Sequence, residues 1–431
     1  MTTNLSAEPQ QSRARESTPI KVLLYTLYTS SNQLLPVNRS PFALMRNRIS
    51  RAAHLTNWKI TGRWQAPHWL FEDIANSNLG DVAVRMGVSK ALREAFEGHA
   101  LEIVELSWGE LTAGFLKNNR FDLIVIGGGG YLFADSGGRL PKRFLDDVEA
   151  LQYAHCPVVA TSIGVNQLIQ RAAPPPFTIA NDQIDSVRRF AEAISLISVR
   201  DKTTSVAIGS TGIAPPPVIV DPAYLLAEPN PIQKNDKVLD IGLNVAFHGS
   251  FVAKLSERNL PIIVRVLKRL KTDTPCRLHY FCHADSSKGI ASAIQAKGIE
   301  LNLVGGSVEQ LLAGYRKLDV HVGSLMHSTI LATSVGVPTL SMAYDIKAAG
   351  FFDLLGLHRL VINSQTMTEE TLYGAIRDLI TRRDHLAGTI RAGRVKLQKQ
   401  ADEFYAKVAN LVVKSCCFFI FAAELSERGA L

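Results

Sequence analysis

The sequence has 431 residues, of which 46% are hydrophobic and 20% are charged, and its formal net charge is +8. This length and composition exclude a single small domain and a largely disordered chain, and they indicate two or three globular domains. The positive charge favours anionic partners, but nucleic acid is not expected because the basic residues form no RNA-binding aromatic motif and no zinc-finger spacing. The five cysteines form no Cys-x-x-Cys pair, which is typical of reduced thiols in a cytoplasmic protein.

The amino-terminal half alternates short apolar runs with helical patterns. Residues 1–19 are polar and lack an apolar signal core, so we expect a disordered tail and no export. Strands rich in Val and Ile are predicted at 20–28, 99–106, 121–130, 156–165, 193–201 and 216–226. Helices are predicted between them, for example at 80–96 and 181–193. Strands separated by helices predict parallel βαβ units, so we interpret 20–226 as one α/β domain.

The second half repeats this alternation after a polar, proline-bearing stretch at 227–237, which predicts a linker. Strands are predicted at 238–247, 276–283, 299–305, 318–324 and 337–344, and helices near 254–270, 286–297 and 308–316. We therefore expect a second α/β domain at 238–365 and carboxyl-terminal helices at 366–431. The predicted fold class is α/β with two doubly wound, Rossmann-like domains, whose strand ends face each other across a ligand-binding cleft.

Polar residues stand where several predicted strands and helices meet. NLGD at 78–81 precedes a helix, so Asn78 or Asp81 is expected to cap it, and the free amides of its first turn are expected to bind an anion. A cap without a ligand is the alternative. GGGG at 127–130 allows close approach of a ligand to the backbone but lacks the GxGxxG spacing of a dinucleotide site. Two further strands end in ionisable side chains, at SVRD (198–201) and FCHAD (281–285).

In this order, the segments resemble the polysaccharide pyruvyl transferase family over roughly residues 70–360. The resemblance depends on NLGD, FDLIVIGGGGYLF, SIGV, ISVRDKTTS, VDPAYLL, FCHAD and GSLMHSTILATSVGVPTLSMAYDIKAAGFF. The last segment is the most specific, with matches at His327, Gly336, Pro338, Tyr344 and Lys347. The position at which family members carry an arginine holds Leu325.

The resemblance implies a GT-B-like arrangement of two domains and an enzyme that transfers pyruvate from phosphoenolpyruvate onto two hydroxyls of a sugar as a cyclic ketal. This chemistry requires no metal and no organic cofactor. It requires cations for the carboxylate and phosphate of the donor, an acid for its methylene carbon and a base for the sugar hydroxyl. The expected acceptor is a sugar of an exopolysaccharide or cell-surface glycan precursor, such as a lipid-linked oligosaccharide.

The expected catalytic residues are His327, as general acid or base, and Arg200, as a bidentate ligand of the donor. A hydrogen-bonded core histidine is the alternative for His327. The residues expected to bind substrate are Asn78, Gly80, Asp81, Gly128, Gly129, His283, Asp285, Ser328, Tyr344 and Lys347. Asp201 is expected to hold Arg200 in place, Asp221 to set a turn, and His321 to help neutralise the donor.

Two other functions and two roles for the carboxyl-terminal region stay open. The functions are a GT-B glycosyltransferase that uses a nucleotide sugar and an inactive glycan-binding relative. Residues 382–399 are basic and place Leu386, Ile390 and Leu397 on one helical face, which predicts either contact with the anionic inner membrane surface or packing on the first domain. The apolar run at 416–423 would span only ~12 Å as a helix, too short to cross a ~30 Å hydrocarbon core.

Overall fold

The computed structural model describes residues 19–27, 78–135, 137–167, 176–229, 238–245 and 250–428, together with the single residues 53 and 56. The predicted tail and most of the predicted linker lie outside these described residues.

The first half is built on a parallel sheet. In chain order its strands are β1 (Ile20–Thr26), β2 (Leu101–Ser107), β3 (Leu123–Gly127), β4 (Leu132–Phe133), β5 (Val158–Ile163), β6 (Val165–Asn166) and β7 (Leu196–Val199). Five of them form the sheet in the order β2-β1-β3-β5-β7, and β4 pairs with β6 alone. The helices of this half are α1 (Leu79–Ala95), α2 (Ala113–Asn118), α3 (Lys142–Leu151), α4 (Ile184–Ala193) and α5 (Lys202–Gly209). Short 3₁₀ helices occupy Asn181–Gln183 and Pro222–Leu225.

The second half is built on a parallel sheet of its own. Its strands are β8 (Leu239–Asn244), β9 (Cys276–Phe281), β10 (Asn302–Val304), β11 (Val320–Gly323), β12 (Thr339–Ala343) and β13 (Val361–Asn363). Their order is β10-β9-β8-β11-β12-β13. The helices are α6 (Ser250–Asp273), α7 (Asp285–Gln295), α8 (Val308–Tyr315), α9 (Met326–Ser334), α10 (Lys347–Leu354), α11 (Glu369–Thr381) and α12 (Arg383–Arg428), with a 3₁₀ helix at His358–Leu360.

Both sheets are covered on their two faces, as strands rich in branched apolar residues require. Along β1, Val22 and Leu24 pack in one apolar cluster while Leu23 and Tyr25 pack in another, because successive side chains point to opposite faces. The cluster of Val22 continues into the second half through Ile241. The two halves therefore share part of one apolar core, and the predicted fold class of two doubly wound, GT-B-like α/β units is confirmed.

Most predicted strands and helices are present, but the prediction of a strand at 216–226 is wrong. Only Val218 forms a bridge, to Val199, and the chain then turns into the 3₁₀ helix Pro222–Leu225. The prolines of this segment have no N–H to donate to a ladder, which limits strand pairing. The predicted domain boundaries stay a prediction, although strands of the first sheet end at Val199 and those of the second begin at Leu239.

Helix α12 packs back on the protein. Leu386, Ile390 and Leu397 are buried in the core cluster, and Arg394 donates a hydrogen bond to the backbone oxygen of Tyr224. The sequence allowed either membrane contact or packing for this apolar face, and in the structure the face is packed. Across the described ranges, no helix combines the length and the apolar character that crossing a membrane requires.

Candidate functional site

The site is built where the start of α1 meets the start of α9. Asn78 caps α1, since its Oδ1 accepts a hydrogen bond of 3.1 Å from Gly80 N. The Leu79 amide donates to the backbone oxygen of His283, which follows β9 of the other half. A Cβ atom at position 80 would lie 2.3 Å from Nδ1 of His327, so only glycine lets the imidazole approach the helix this closely.

His327 lies between two carboxylates of the first half. Its Nδ1 is 3.9 Å from Oδ1 of Asp81, and its Nε2 is 3.8 Å from Oδ2 of Asp221. The side chain is 13% exposed. Both separations are too long for hydrogen bonds, so the imidazole is held by charge and packing rather than by a closed hydrogen-bond network.

Asp221 links His327 to Arg200. Its Oδ1 accepts a hydrogen bond of 3.0 Å from Ala223 N, which sets the turn that the sequence predicted. Its Oδ2 lies 3.8 Å from Nη1 of Arg200. Burial acts to raise the pKa of Asp221, but His327 and Arg200 together hold that pKa below its ordinary value. Asp221 is therefore an anion that two cation-forming side chains stabilise.

Arg200 is more enclosed than the sequence predicted. Its side chain is 2% exposed, and Nη2 donates to the backbone oxygen of Val165 at 3.2 Å and to Oδ1 of Asn166 at 2.5 Å. Its Nε is 3.6 Å from Oδ2 of Asp201, whose Oδ1 caps α5. In this structure a bidentate contact with a donor would require Arg200 to exchange these partners.

A third group of charges follows β12. Lys347 Nζ is 3.8 Å from Oδ2 of Asp345, and the Ile346 amide donates to Gln167 O of the first half. Burial raises the pKa of the Asp345 carboxyl, which Lys347 opposes. Burial also raises the pKa of the Tyr344 hydroxyl, with a smaller contribution from Asp345.

We call the following six residues the charged junction: Asp81, Arg200, Asp221, His327, Asp345 and Lys347. They come from both halves: Arg200, Asp345 and Lys347 follow strands β7 and β12, whereas Asp81, Asp221 and His327 lie at the starts of helices. Burial raises the pKa of Asp81 as well, although His327 and Lys347 oppose it. Asp81 and Asp221 therefore differ: the pKa of one is raised and that of the other is lowered.

Ser328 and His283 lie elsewhere, in a buried chain of hydrogen bonds. His283 Nε2 is 2.7 Å from the hydroxyl of Tyr315, which is 3.0 Å from Oγ of Ser328, and that Oγ is 2.7 Å from Nε2 of His321. Burial lowers the pKa of His321 to about 3. His321 is therefore neutral at physiological pH and does not supply the positive charge that we expected of it.

The backbone amides that we expected to bind an anion instead donate hydrogen bonds within the protein. Besides Leu79 and Gly80, the Asp81 amide donates to Asn78 O. Gly128 donates to Thr161 O and adopts a positive φ of 56°. A Cβ there would lie 2.4 Å from Val84 of α1, so this glycine serves helix packing.

Three further positions singled out in the sequence are not members of the charged junction. Gly129 also has a positive φ, of 72°, and a Cβ there would lie 3.7 Å from the Trp108 ring. Asp285 begins α7, but its side chain lies outside the described part of the chain. Leu325 precedes α9, where its amide donates to Oδ1 of Asn244 and the residue is 8% exposed.

Sequence reasoning missed two contributors to the junction. Asp221 was interpreted as a turn residue alone, and Asp345 was not singled out. Their signals were the carboxylates in VDP and AYD, each directly after an apolar run. Within the described ranges, no group of three or more His, Cys, Asp or Glu residues has an arrangement suited to a metal ion.

Comparison with known proteins addresses fold and family. Solved structures similar to this chain include MurG of Acinetobacter baumannii, at 14% identity and a TM-score of 0.43 over 92% of this chain and 100% of that one. A putative UDP-N-acetylglucosamine 2-epimerase from Listeria monocytogenes is 11% identical, with a TM-score of 0.48 over 87% of this chain and 91% of that one. UDP-GlcNAc 2-epimerase from Neisseria meningitidis is 12% identical, with a TM-score of 0.44 over 88% and 99% of the two chains.

Among proteins with curated descriptions, none matches this chain significantly. The sequence model of the polysaccharide pyruvyl transferases matches residues 78–346, which is more than half of the chain. This range begins at the cap of α1 and ends beside Lys347, so it contains five of the six residues of the charged junction. The chain therefore belongs to the polysaccharide pyruvyl transferase family.

Proposed function

We propose that this transferase moves pyruvate from phosphoenolpyruvate onto two hydroxyls of a sugar in an exopolysaccharide or cell-surface glycan precursor. The observation that carries the proposal is the position of His327, which is partly exposed between Asp81 and Asp221 at the meeting point of the two halves. An imidazole has two ring nitrogens that can donate or accept a proton, which suits it to general acid or base catalysis.

The proposed chemistry has two balanced steps. In the first, one sugar hydroxyl attacks C2 of phosphoenolpyruvate, gives its proton to a base, and the methylene carbon takes a proton from an acid. The double bond is thereby replaced by a C–O bond and a methyl group. In the second step, another hydroxyl attacks the same carbon, its proton leaves, and phosphate departs with the electron pair of its C–O bond. No metal or organic cofactor takes part.

The donor brings a carboxylate and a phosphate, so its binding must compete for the cations of the junction. Arg200 and Lys347 lie 3.6 to 3.8 Å from carboxylates of the protein. These separations are longer than hydrogen bonds, so donor oxygens at hydrogen-bonding distance would interact with the cations more strongly. Lys347, 18% exposed, is the more accessible of the two.

Peripheral contact of this cytoplasmic enzyme with an anionic membrane surface is a further part of the proposal. Its support is charge alone, because the apolar face of α12 is buried. Among the side chains of this helix that the structure describes, together with the residue before it, the exposed cations are Arg382, Arg391, Lys396, Lys399 and Lys407. Flotation with anionic liposomes at low and high salt tests this part. Binding that salt does not weaken, or no binding at all, would contradict it.

The main proposal is tested by incubating the purified protein with isotopically labelled phosphoenolpyruvate and extracted lipid-linked glycan precursors. We expect label in the glycan, together with release of phosphate. Parallel reactions with labelled nucleotide sugars test the alternative that the protein is a glycosyltransferase. Consumption of a nucleotide sugar, or glycan binding without consumption of either donor, would replace the proposed function with the corresponding alternative.

A further inference from the structure

We infer that Asp221 is the positioning residue of His327: its Oδ2 holds the proton on Nε2, so that Nδ1, beside Asp81, is the nitrogen that exchanges protons. The inference rests on the proposed function and deepens it, because it assigns separate tasks to the two ring nitrogens and to the two flanking carboxylates.

The first support is that Asp221 is fixed. The residue is buried, it precedes the 3₁₀ helix that begins at Pro222, and its Oδ1 is held by the Ala223 amide. Helix α1 packs directly on this turn, since a Cβ at Gly87 would lie 2.1 Å from Pro222 O. Because Oδ1 is used by the backbone, Oδ2 is the oxygen that remains for His327.

The second support is that two buried atoms face each other without a hydrogen bond. Among the described residues, none hydrogen-bonds to Oδ2 of Asp221 or to Nε2 of His327, and both atoms are inaccessible to solvent. They are 3.8 Å apart. A buried polar atom left unpaired destabilises a protein, so a small rotation of the imidazole that brings these two atoms into hydrogen-bonding distance would be favourable. A carboxylate can only accept, so Nε2 must carry the proton.

The third support is the set of charges around the ring. Asp81 of α1 faces Nδ1, and Arg200, after β7, faces the same oxygen of Asp221 that faces Nε2. Lys347 lowers the pKa of Asp81, and Asp345 interacts with both Lys347 and Arg200. His327 and Arg200 favour the ionised form of Asp221, whereas burial raises the pKa of Asp81, which makes its carboxylate the stronger base of the two. Carboxylates whose pKa values diverge in this way are suited to different tasks in proton transfer.

The proton path that follows is balanced. Protonated His327 gives the proton on Nδ1 to the methylene carbon of the donor, and Asp81 takes the proton of the attacking hydroxyl. Transfer from Asp81 back to Nδ1, across the contact that is 3.9 Å in this structure, restores both groups. Asp221 keeps its charge throughout and stabilises the imidazolium.

The test is Asp221→Asn, with Asp201→Asn as the matched control. Asparagine keeps an oxygen for the Ala223 amide but can present an amide donor to Nε2, which then becomes the acceptor and transfers its proton to Nδ1. Asp201 also caps a helix and also lies beside Arg200, but among the described residues its carboxylate contacts Thr204 and Arg200 and not His327. The two variants therefore make the same chemical change on the two sides of one arginine.

The first readout needs no turnover. Nitrogen NMR of histidine-labelled protein at alkaline pH reports which ring nitrogen carries the proton, and His327→Gln assigns the signal. We expect the proton on Nε2 in the wild type and in Asp201→Asn, and on Nδ1 in Asp221→Asn. An unchanged tautomer in Asp221→Asn, or the same reversal in Asp201→Asn, would overturn the inference.

The second readout is kinetic. Because the wrong tautomer removes general acid catalysis, kcat of Asp221→Asn should fall ~10²- to 10⁴-fold, whereas KM for phosphoenolpyruvate should change only a few-fold. A rise in KM at unchanged kcat would also overturn the inference. If the wild type transfers no pyruvate while the tautomer reverses as expected, the proposed function fails and the pairing of Asp221 with His327 stands.

Discussion

Two polar regions meet at the first turn of α9, and neighbouring residues of the sequence belong to different ones. His327 belongs to the charged junction, in which oppositely charged side chains lie 3.8–3.9 Å apart and form no hydrogen bonds to the imidazole. Ser328 belongs to the buried chain of His283, Tyr315, Ser328 and His321, in which contacts are 2.7–3.0 Å.

The difference teaches how to separate structural from functional polar groups in this fold. The buried chain is hydrogen-bonded along its length and its groups come from the second half alone, so it stabilises packing of α8, α9 and β11. The junction instead joins ionisable groups of both halves, and two of its buried atoms, Oδ2 of Asp221 and Nε2 of His327, face each other 3.8 Å apart without a hydrogen bond. An unpaired atom alone does not distinguish the regions, because among the described residues Nδ1 of His321 in the buried chain also lacks a hydrogen bond; the charge of the groups and the halves that supply them do.

Replacing His327 by alanine should give the largest effect on activity. The loss of the proton carrier is expected to lower kcat by ~10²-fold or more, whereas the free energy of unfolding should change by ~1 kcal/mol or less, because the side chain is only charge-paired at long distances. Phosphate release and urea unfolding measure the two quantities. Retained kcat with a loss of several kcal/mol in stability would move His327 into the structural region.

The pH dependence of stability should distinguish the two regions next. His321 has an ordinary pKa of 6.5 and a folded-state pKa of about 3, so between these values the unfolded chain binds a proton that the folded protein does not. Its contribution to stability is present above pH 6.5 and is lost as pH falls, by up to ~1.4 kcal/mol per pH unit. His321→Gln should remove this slope in urea unfolding at successive pH values.

Asp147 is a control for which stability should depend on pH in the opposite direction. Its carboxylate accepts hydrogen bonds from Tyr25 and Tyr131, yet burial raises its pKa from 3.8 to about 6. Here the folded protein binds the proton more strongly, so this contribution is present below pH 3.8 and is lost as pH rises to about 6. Asp147→Asn should therefore change the slope in the opposite direction from His321→Gln, and equal signs would contradict the assigned protonation states.

Much of the fold could be predicted because the apolar runs are strong. β3 and α1 follow directly from FDLIVIG and from the helical pattern after NLGD. The prediction failed at 216–226, where a Val- and Ile-containing run is interrupted by prolines and by the cap that Asp221 forms. In that segment local hydrogen bonding decided the conformation, not strand propensity.

The candidate site was less predictable, because it depends on how elements pack. Adjacent positions on a helix point ~100° apart, so sequence could not decide which of His327 and Ser328 faces the other half. That choice depends on Gly80, whose missing side chain admits the imidazole. Likewise, the motif identified the turn at Asp221, but the use of its second oxygen depends on where α9 lies.

Replacing Ser328 by alanine breaks the buried chain and should have a moderate effect. The change removes one partner from Tyr315 and one from His321, which is expected to cost ~2 kcal/mol of unfolding free energy with kcat nearly unchanged. Ser334→Ala on the same helix is the matched control, because among the described residues that hydroxyl donates to Leu331 O of its own helix. Equal losses in the two variants, or a loss of kcat in Ser328→Ala alone, would contradict the division between the regions.

Replacing Leu325 by arginine should give the smallest effect of these changes, and it tests directly how the site binds its donor. The resemblance to the family implies an arginine at this position, and a charge-assisted contact contributes ~1.5–3 kcal/mol. Leu325, however, is largely buried and its amide donates to Asn244. A long arginine must reach the junction from this anchored backbone, so we expect phosphoenolpyruvate to bind up to ~10-fold more tightly by calorimetry.

Arg200→Ala is the companion variant and should abolish donor binding if Arg200 has replaced the missing arginine. Donor binding that appears only in Leu325→Arg would instead mean that the wild-type junction does not bind this donor, and the glycan-binding or glycosyl-transfer alternative would then apply.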